Sequence, residues 1–457
     1  MRLDTCLEYQ DSGIDWMGLL PKEWQLVPFF SRFTQQARSN KGMHCDNLLS
    51  LSYGRVVTKD INTSDGLLPE SFETYQIVEP GDIVFRLTDL QNDKRSLRSA
   101  IVEEMGIITS AYLAVKPLEM ESRYAHYLFR AYDHTKVFYS MGGGLRQSMK
   151  FDDMKRLPVI CPPTDEQTQI ARFLDHEVGK IDALITEQEK LIALLKEKRQ
   201  AVISQAVTKG LNPAVPMKDS GVDWLGEVPE HWDVNRIKFV TQVFEQGWSP
   251  QCESEPVESG EEFGVLKVGC VNGGIFRSEE NKKLPSELEP IKALSLKADD
   301  LLISRANTRE LVGSAAVVPV NFDNLLLCDK LYRLRLFKNI VVPQFLSFFL
   351  STDLVRTRIE TEATGASQSM LNISQSTINN LYFPCPSIEE QLRIVGYVVK
   401  QQWQILQLVA DARALTNLLN ERRSALISAA VTGKIDIRGW QTPVENINPA
   451  NKEVCVD

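Results

Sequence analysis

A fourteen-residue word written twice constrains this chain more than any other feature. Asp11-Ser12-Gly13-Ile14-Asp15-Trp16-Met17-Gly18, followed by Pro21 and Trp24, returns as Asp219-Ser220-Gly221-Val222-Asp223-Trp224-Leu225-Gly226, followed by Pro229 and Trp232. Eight of the fourteen aligned positions are identical, and four of the seven tryptophans in the chain sit in this word. The echo continues in order. Gly81–Phe85 answers to Asp299–Ile303, Gln147-Ser148-Met149 to Gln368-Ser369-Met370, and Cys161-Pro162 with Glu166-Gln167 to Cys385-Pro386 with Glu390-Gln391. Ile203–Thr208 answers to Ile427–Thr432. Two copies of a period this long are a duplicated domain pair, not a solenoid.

Each copy has two parts. The first mixes short β-rich runs, such as Asp82–Phe85, Ala111–Val115, Asp300–Ser304 and Lys330–Leu336, with helical stretches at Tyr124–Tyr139 and Pro343–Thr361. The second is a proline-free helix, Glu166–Thr208 and again Glu390–Thr432, bounded by prolines before it and Gly210 or Gly433 after it. Its apolar stagger runs through Ile170, Phe173, Val178, Ile181, Leu184, Leu191, Leu195, Val202 and Val207. In the second copy it runs through Ile394, Val398, Ile405, Leu408, Leu415, Leu419, Leu426 and Val431. A stripe of this length cannot bury itself, so an antiparallel pairing of the two helices is expected. The fold class is therefore α+β: two homologous mixed α/β domains separated by a long two-helix antiparallel coiled coil, with pseudo-twofold symmetry. The expected boundaries are 1–165 for the first head, 166–209 for its helix and 210–217 for a linker. The second head takes 218–388, its helix 389–433, and a C-terminal tail 434–457.

Composition narrows the class. The 457 residues carry a net charge of −9 and 43% hydrophobic residues, a globular balance that argues against a basic coat for nucleic acid. No apolar run approaches the ~20 residues of a membrane span, and no secretion signal opens the chain, so a cytoplasmic place and no membrane partner are expected. Eight scattered cysteines and five histidines form no metal-ligand spacing.

The order head, helix, head, helix resembles the specificity subunit of type I restriction–modification systems. The resemblance rests on Gly81–Asp89, Gly142–Met149, Gln246–Pro250, Leu301–Thr308 and the Pro-Ser-x-x-Glu-Gln word at Pro386–Gln391. It implies two target-recognition domains reading an asymmetric bipartite target in double-stranded DNA. It also implies partnership with two methyltransferase subunits and with restriction/translocase subunits. Pseudo-twofold heads would meet the same groove about one helical turn, ~34 Å, apart.

Two clusters in each head carry the residue types that read base edges. In the first head they are Arg86, Gln91, Asn92, Lys94, Arg95 and Arg98, then Arg146, Gln147, Ser148 and Lys150 after three glycines. In the second they are Arg305, Asn307 and Arg309, then Ser367, Gln368, Ser369 and Asn372. Tyr53, Arg55, Lys267 and Asn272 are weaker candidates. Trp16, Trp24, Trp224 and Trp232 read as packing against helix ends, and Cys161 and Cys385 as small buried residues.

No phosphate-binding loop, adenine-methyltransferase motif or metal cluster is legible, so no catalytic residue and no cofactor is assigned to this chain. S-adenosylmethionine, ATP and Mg are expected on the partner subunits. Two other readings remain: a self-sufficient methyltransferase–nuclease, against which the missing motifs speak, and a scaffold with protein-binding heads, against which the Arg/Asn/Gln loops speak.

Overall fold

The computed structural model describes residues 8–62, 69, 71–88, 97–141, 149–367 and 370–443. The chain divides into two compact units, Met1–Glu189 with Ala414–Asp457, and Lys190–Arg413. Each unit holds one head and one half of each long helix.

The two heads share one sheet topology. In the first, a four-stranded sheet runs in the order Ser99–Ile101, Ile83–Phe85, Leu113–Pro117, Phe33–Gln36. In the second, the corresponding order is Ala315–Val317, Leu301–Ser304, Leu331–Leu336, Thr241–Gln246. Each head adds a second sheet containing one parallel pair: Leu48–Ser52 beside Gly106–Ile108, and Gly264–Leu266 beside Phe322–Leu326. The central strands are buried along their whole length, which is why Ile83–Phe85 and Leu301–Ser304 read as apolar runs rather than alternations.

Arg333 joins the two sheets of the second head. It is fully buried on strand Leu331–Leu336, pairs with Glu245 at 2.5 Å, and donates to the carbonyls of Ala293 at 2.9 Å and Ser295 at 2.7 Å. A charge removed from water survives only with such complete pairing.

Each expected head helix is broken once. Tyr124–Tyr139 becomes Ser122–His134 and Val137–Met141, with Lys136 at φ 60° between them. Pro343–Thr361 becomes Pro343–Leu350 and Asp353–Glu362, because Thr352 turns out of the helix and its hydroxyl caps the next one at Val355 N.

The long helices are continuous over Thr164–Lys209 and Ile388–Val431. Within the second unit, Leu195 and Ile192 pack with Ile405 and Val409, and Val202 and Tyr397 line one cavity, so the helices run antiparallel there. Within the first unit, Asp182 pairs with Arg423 at 3.1 Å while Ile170 lies near Ala430, which is the same sense. The apolar stagger is not wholly a seam, however. Leu184, Leu191, Leu408 and Leu415 are exposed, because a straight helix drifts relative to a strict heptad and carries part of its stripe out of contact.

The repeated words now have a packing reason. Each head seats the start of one long helix and the end of the other. Ile203, Ala206 and Val207 at the end of the first helix belong to the core of the second head. Ile427, Ala430 and Val431 at the end of the second helix belong to the core of the first. Gly433, at φ 69°, lies against Pro21 and Trp24, and Gly210, at φ 75°, against Trp232. Trp24 and Trp232 are buried as expected, whereas Trp16 is exposed and packs T-shaped on Tyr132, with ring centroids 5.0 Å apart. Residues from 434 were expected as a tail. Through 443 they instead continue the first head, where Ile437 and Trp440 are buried in its core and Trp440 meets Phe173 edge-on at 5.4 Å.

The Glu-Gln word is a staple. Gln167 and Gln391 are both fully buried. Gln167 accepts from Glu121 N at 2.9 Å and donates to the Pro162 carbonyl at 2.8 Å. Gln391 accepts from Val342 N at 2.8 Å and donates to the carbonyls of Pro386 at 2.8 Å and Ile340 at 3.0 Å. Beside them, Glu166 accepts from the Trp24 indole at 2.9 Å, and Glu390 lies 2.9 Å from the His231 ring. Cys161 and Cys385 are the small buried neighbours of these glutamines.

Candidate nucleic-acid interface

In both heads the two candidate clusters, distant in sequence, are hydrogen-bonded to each other. In the second head, Ala306–Asn307 pairs antiparallel with Met370–Asn372, and this strand pairs with Thr364–Ser367. Ile373 N also donates to the Arg305 carbonyl at 3.0 Å. Gly365 allows the closeness of this ribbon, since a Cβ there would stand 2.5 Å from the Met370 carbonyl. In the first head, Met149 N donates to the Leu87 carbonyl at 2.9 Å, joining the segment after Ile83–Phe85 to the segment after the three glycines.

Residue by residue, Arg305 is half-buried and its Nε donates to the Asp329 carbonyl at 2.9 Å, which fixes the direction of the guanidinium. Asn307 donates to Asn272 Oδ1 at 3.3 Å, so a weaker candidate joins the same surface. Arg309 is exposed, and Asn372 sits opposite Ala306. Ser367 lies in the strand Thr364–Ser367, while Gln368 and Ser369 fall outside the described residues.

In the first head, Arg86 is half-buried and its N donates to the Arg98 carbonyl at 2.8 Å. Gln91, Asn92, Lys94 and Arg95 lie outside the described residues, as do Arg146, Gln147 and Ser148. Lys150 is exposed at the start of the short helix Phe151–Met154, with Asp153 accepting from its N at 2.8 Å.

Arg98 corrects the sequence reading. It is fully buried, with Nε 3.2 Å from Tyr139 Oη and Nη1 donating to the Thr88 carbonyl at 3.1 Å. It holds the end of the loop and has no edge to offer a base. The same loop end is pinned by Asp133, whose Oδ2 accepts from Arg98 N at 2.9 Å, Ser99 N at 3.0 Å and Ser99 Oγ at 2.7 Å. Burial pushes the Asp133 carboxyl up to about 6, against the lowering effect of these donors and of Arg130. Of the weaker candidates, Tyr53 stands out at a hairpin tip at φ 46°, and Arg55 is turned to Asp182 on the first long helix at 3.2 Å.

Of the anchoring residues, Gln167 and Gln391 stand in the repeated word without an assigned role, and Asp133 and Arg333 were not singled out from sequence. The recurrence of Glu-Gln at matched places was the available signal for the glutamines. Nothing local in the sequence marks Arg333 as a buried arginine. Among the described residues, no group of three or more His, Cys, Asp or Glu could hold a metal ion, and no helix is long and apolar enough to cross a membrane.

Comparison with known proteins agrees with this architecture. Residues 110–194 match the family model of the type I restriction modification DNA specificity domain. The chain is 26% identical over 224 residues to the type I restriction enzyme EcoEI specificity subunit of Escherichia coli, covering 48% of this chain and 37% of that one. It is 26% identical over 278 residues to the EcoKI specificity subunit of Escherichia coli K12, covering 60% and 57%. The matches thus span about a third to somewhat over half of these relatives. A chain solved in a study of complex assembly and conformational transition of the type I R-M system shares the fold. Its TM-score is 0.67 at 16% identity, over 91% of this chain and 99% of that one. The duplicated head-and-helix plan, the matched specificity domain and the curated relatives together make this chain similar to the specificity subunits of type I restriction–modification systems.

Proposed function

We propose that the chain is the DNA-reading, non-catalytic subunit of a type I restriction–modification complex, and that each head reads one half of an asymmetric bipartite target. The observation that carries this reading is the junction of the two polar clusters in each head. In the second head it brings Arg305 and Asn307 together with Asn272, and these are side chains whose geometry suits guanine and adenine edges. The heads share topology but differ in these side chains, so the half-sites differ. Two methyltransferase subunits and the restriction/translocase subunits supply S-adenosylmethionine, ATP and Mg chemistry, acting on an adenine turned out of the duplex. The exposed apolar residues of the long helices, Leu184, Leu191, Trp403, Leu408 and Leu415 among them, suit docking of those subunits.

The test is co-expression with the modification subunits in a host lacking other adenine methylation, followed by single-molecule mapping of modified adenines. Modified adenines in a two-part asymmetric sequence with an unread gap are expected. A single continuous or palindromic target, or methylation by this chain alone, overturns the reading.

A further inference from the structure

A cleft in the second head, apart from the residues assigned above, has the chemistry of a polyanion groove. It is a cavity of about 220 Å³ with Trp248 as an aromatic wall and Lys267, Lys282 and Lys330 at its rim. Four backbone segments build it. Lys267 follows strand Gly264–Leu266, Lys282 lies in strand Asn281–Lys283, Trp248 follows Thr241–Gln246, and Lys330 precedes Leu331–Leu336. Convergence of three lysines from separate segments is a tertiary product that no sequence run displays.

The aromatic wall is rigidly placed. Trp248 N donates to the Leu327 carbonyl at 3.1 Å, and Trp248 bridges to Cys328. Gly247 beside it has no room for a side chain, because a Cβ would lie 2.1 Å from the Leu327 carbonyl. The charges are available. Lys283 is paired with Glu262 at 2.7 Å, whereas among the described residues no ion pair joins Lys267, Lys282 or Lys330 to a carboxylate. Only Asp329 contributes a carboxylate to the lining. The volume falls below the ~300 Å³ at which small-molecule sites begin, so part of a longer ligand fits better than a free metabolite.

The cleft is continuous with the candidate reading surface. The Asp329 carbonyl accepts from Arg305 Nε at 2.9 Å and from Gln246 Nε2 at 3.0 Å, and Arg305 N donates to the Lys330 carbonyl at 2.8 Å. We infer that this cleft holds one DNA strand beside the half-site read by Arg305 and Asn307. The three lysines meet successive phosphates, and the Trp248 ring lies against a sugar or base. This rests on the function proposed above. Lysine suits the task as a point charge for phosphate, and such contacts set register without reading sequence.

The experiment uses the full chain assembled with its modification subunits. The probes are duplex DNA carrying the mapped target and a random duplex of equal length, each titrated over a range of salt. Three phosphate contacts at ~0.9 each lower the salt slope by about 2.7, so between 50 and 200 mM salt the K267A/K282A/K330A variant loses about 40-fold less affinity than the wild type. The loss at low salt is shared by both duplexes, the triple Lys→Arg variant restores the slope, and W248F binds better than W248A. Each single Lys→Ala variant lowers the slope by ~0.9, which keeps the test decisive if the triple variant fails to fold. An unchanged slope in variants whose wild type binds its target overturns the cleft and leaves the function standing. A wild-type complex with no preference for any duplex overturns both.

Discussion

Replacing Gln391 by Met keeps the length and volume of the side chain and removes its hydrogen bonds. The structure sets the cost. Val342 N loses its acceptor at 2.8 Å, and the carbonyls of Pro386 and Ile340 lose donors at 2.8 and 3.0 Å, all around a fully buried side chain. An unsatisfied buried polar group costs about 1–3 kcal/mol, so Q391M should lose about 3–5 kcal/mol in the second head. Gln167 makes two such bonds, to Glu121 N and the Pro162 carbonyl, so Q167M should lose about 2–4 kcal/mol in the first head. Q391E should be worse than Q391M, since a carboxylate cannot donate and burying its charge adds a desolvation cost. Hydrogen exchange on peptides covering Pro343–Leu350 reads the effect locally. At 1.4 kcal/mol per tenfold, protection there should fall by about a hundred- to a few thousand-fold, with the first head unchanged. A loss below about 0.5 kcal/mol, or equal loss in both heads, refutes the idea that this glutamine staples one helix to one head.

Three further outcomes are expected. Arg305→Ala should cost about 1–3 kcal/mol on the target and relax the second half-site only, read by binding selection from randomised duplexes; equal loss on random DNA would assign Arg305 to phosphate. Arg333→Ala leaves the carbonyls of Ala293 and Ser295 without their donor and Glu245 without its partner, while Asp300 keeps Arg335 at 2.7 Å; it should lower stability by about 2–4 kcal/mol in denaturant titration, whereas a shift within 0.5 kcal/mol would show that the inter-sheet bridge is dispensable. His134 is held down to about 4 by burial first, then by Arg130, Arg423 and Lys136. The unfolded chain, with its ordinary value near 6.5, then binds more protons between these limits, so His134 costs stability as pH falls from 6.5 to 4 and H134Q should flatten that part of the wild-type stability curve.

Much of the plan is legible in the sequence. Duplication of a Trp word, a Glu-Gln word and a long proline-free helix is a pattern along the chain, and periodicity is a local property that sequence displays directly. Arg305 and Asn307 are candidates for the same reason, because a strand followed by Arg, Asn and Thr is a contiguous signal. What sequence could not assign was partnership. Arg98 sits in a basic run yet is buried, because Tyr139 and the Thr88 carbonyl reach it from distant segments. Leu184, Leu191, Leu408 and Leu415 match the stagger yet face outward, since which part of a stripe meets a neighbour depends on the rotation of a helix within its packing. Residues 434–443 look like a tail and complete a core, because Trp440 finds Phe173 far away in the chain. The lysines at the Trp248 cleft are unremarkable singly and acquire meaning from four segments folding to one rim. Sequence determined the repeat, the helices and the residue types of the candidate loops; tertiary structure alone decided which charges are buried, which apolar faces stay open and which distant side chains share a surface, because burial and pairing are set by neighbours that the chain brings together only on folding.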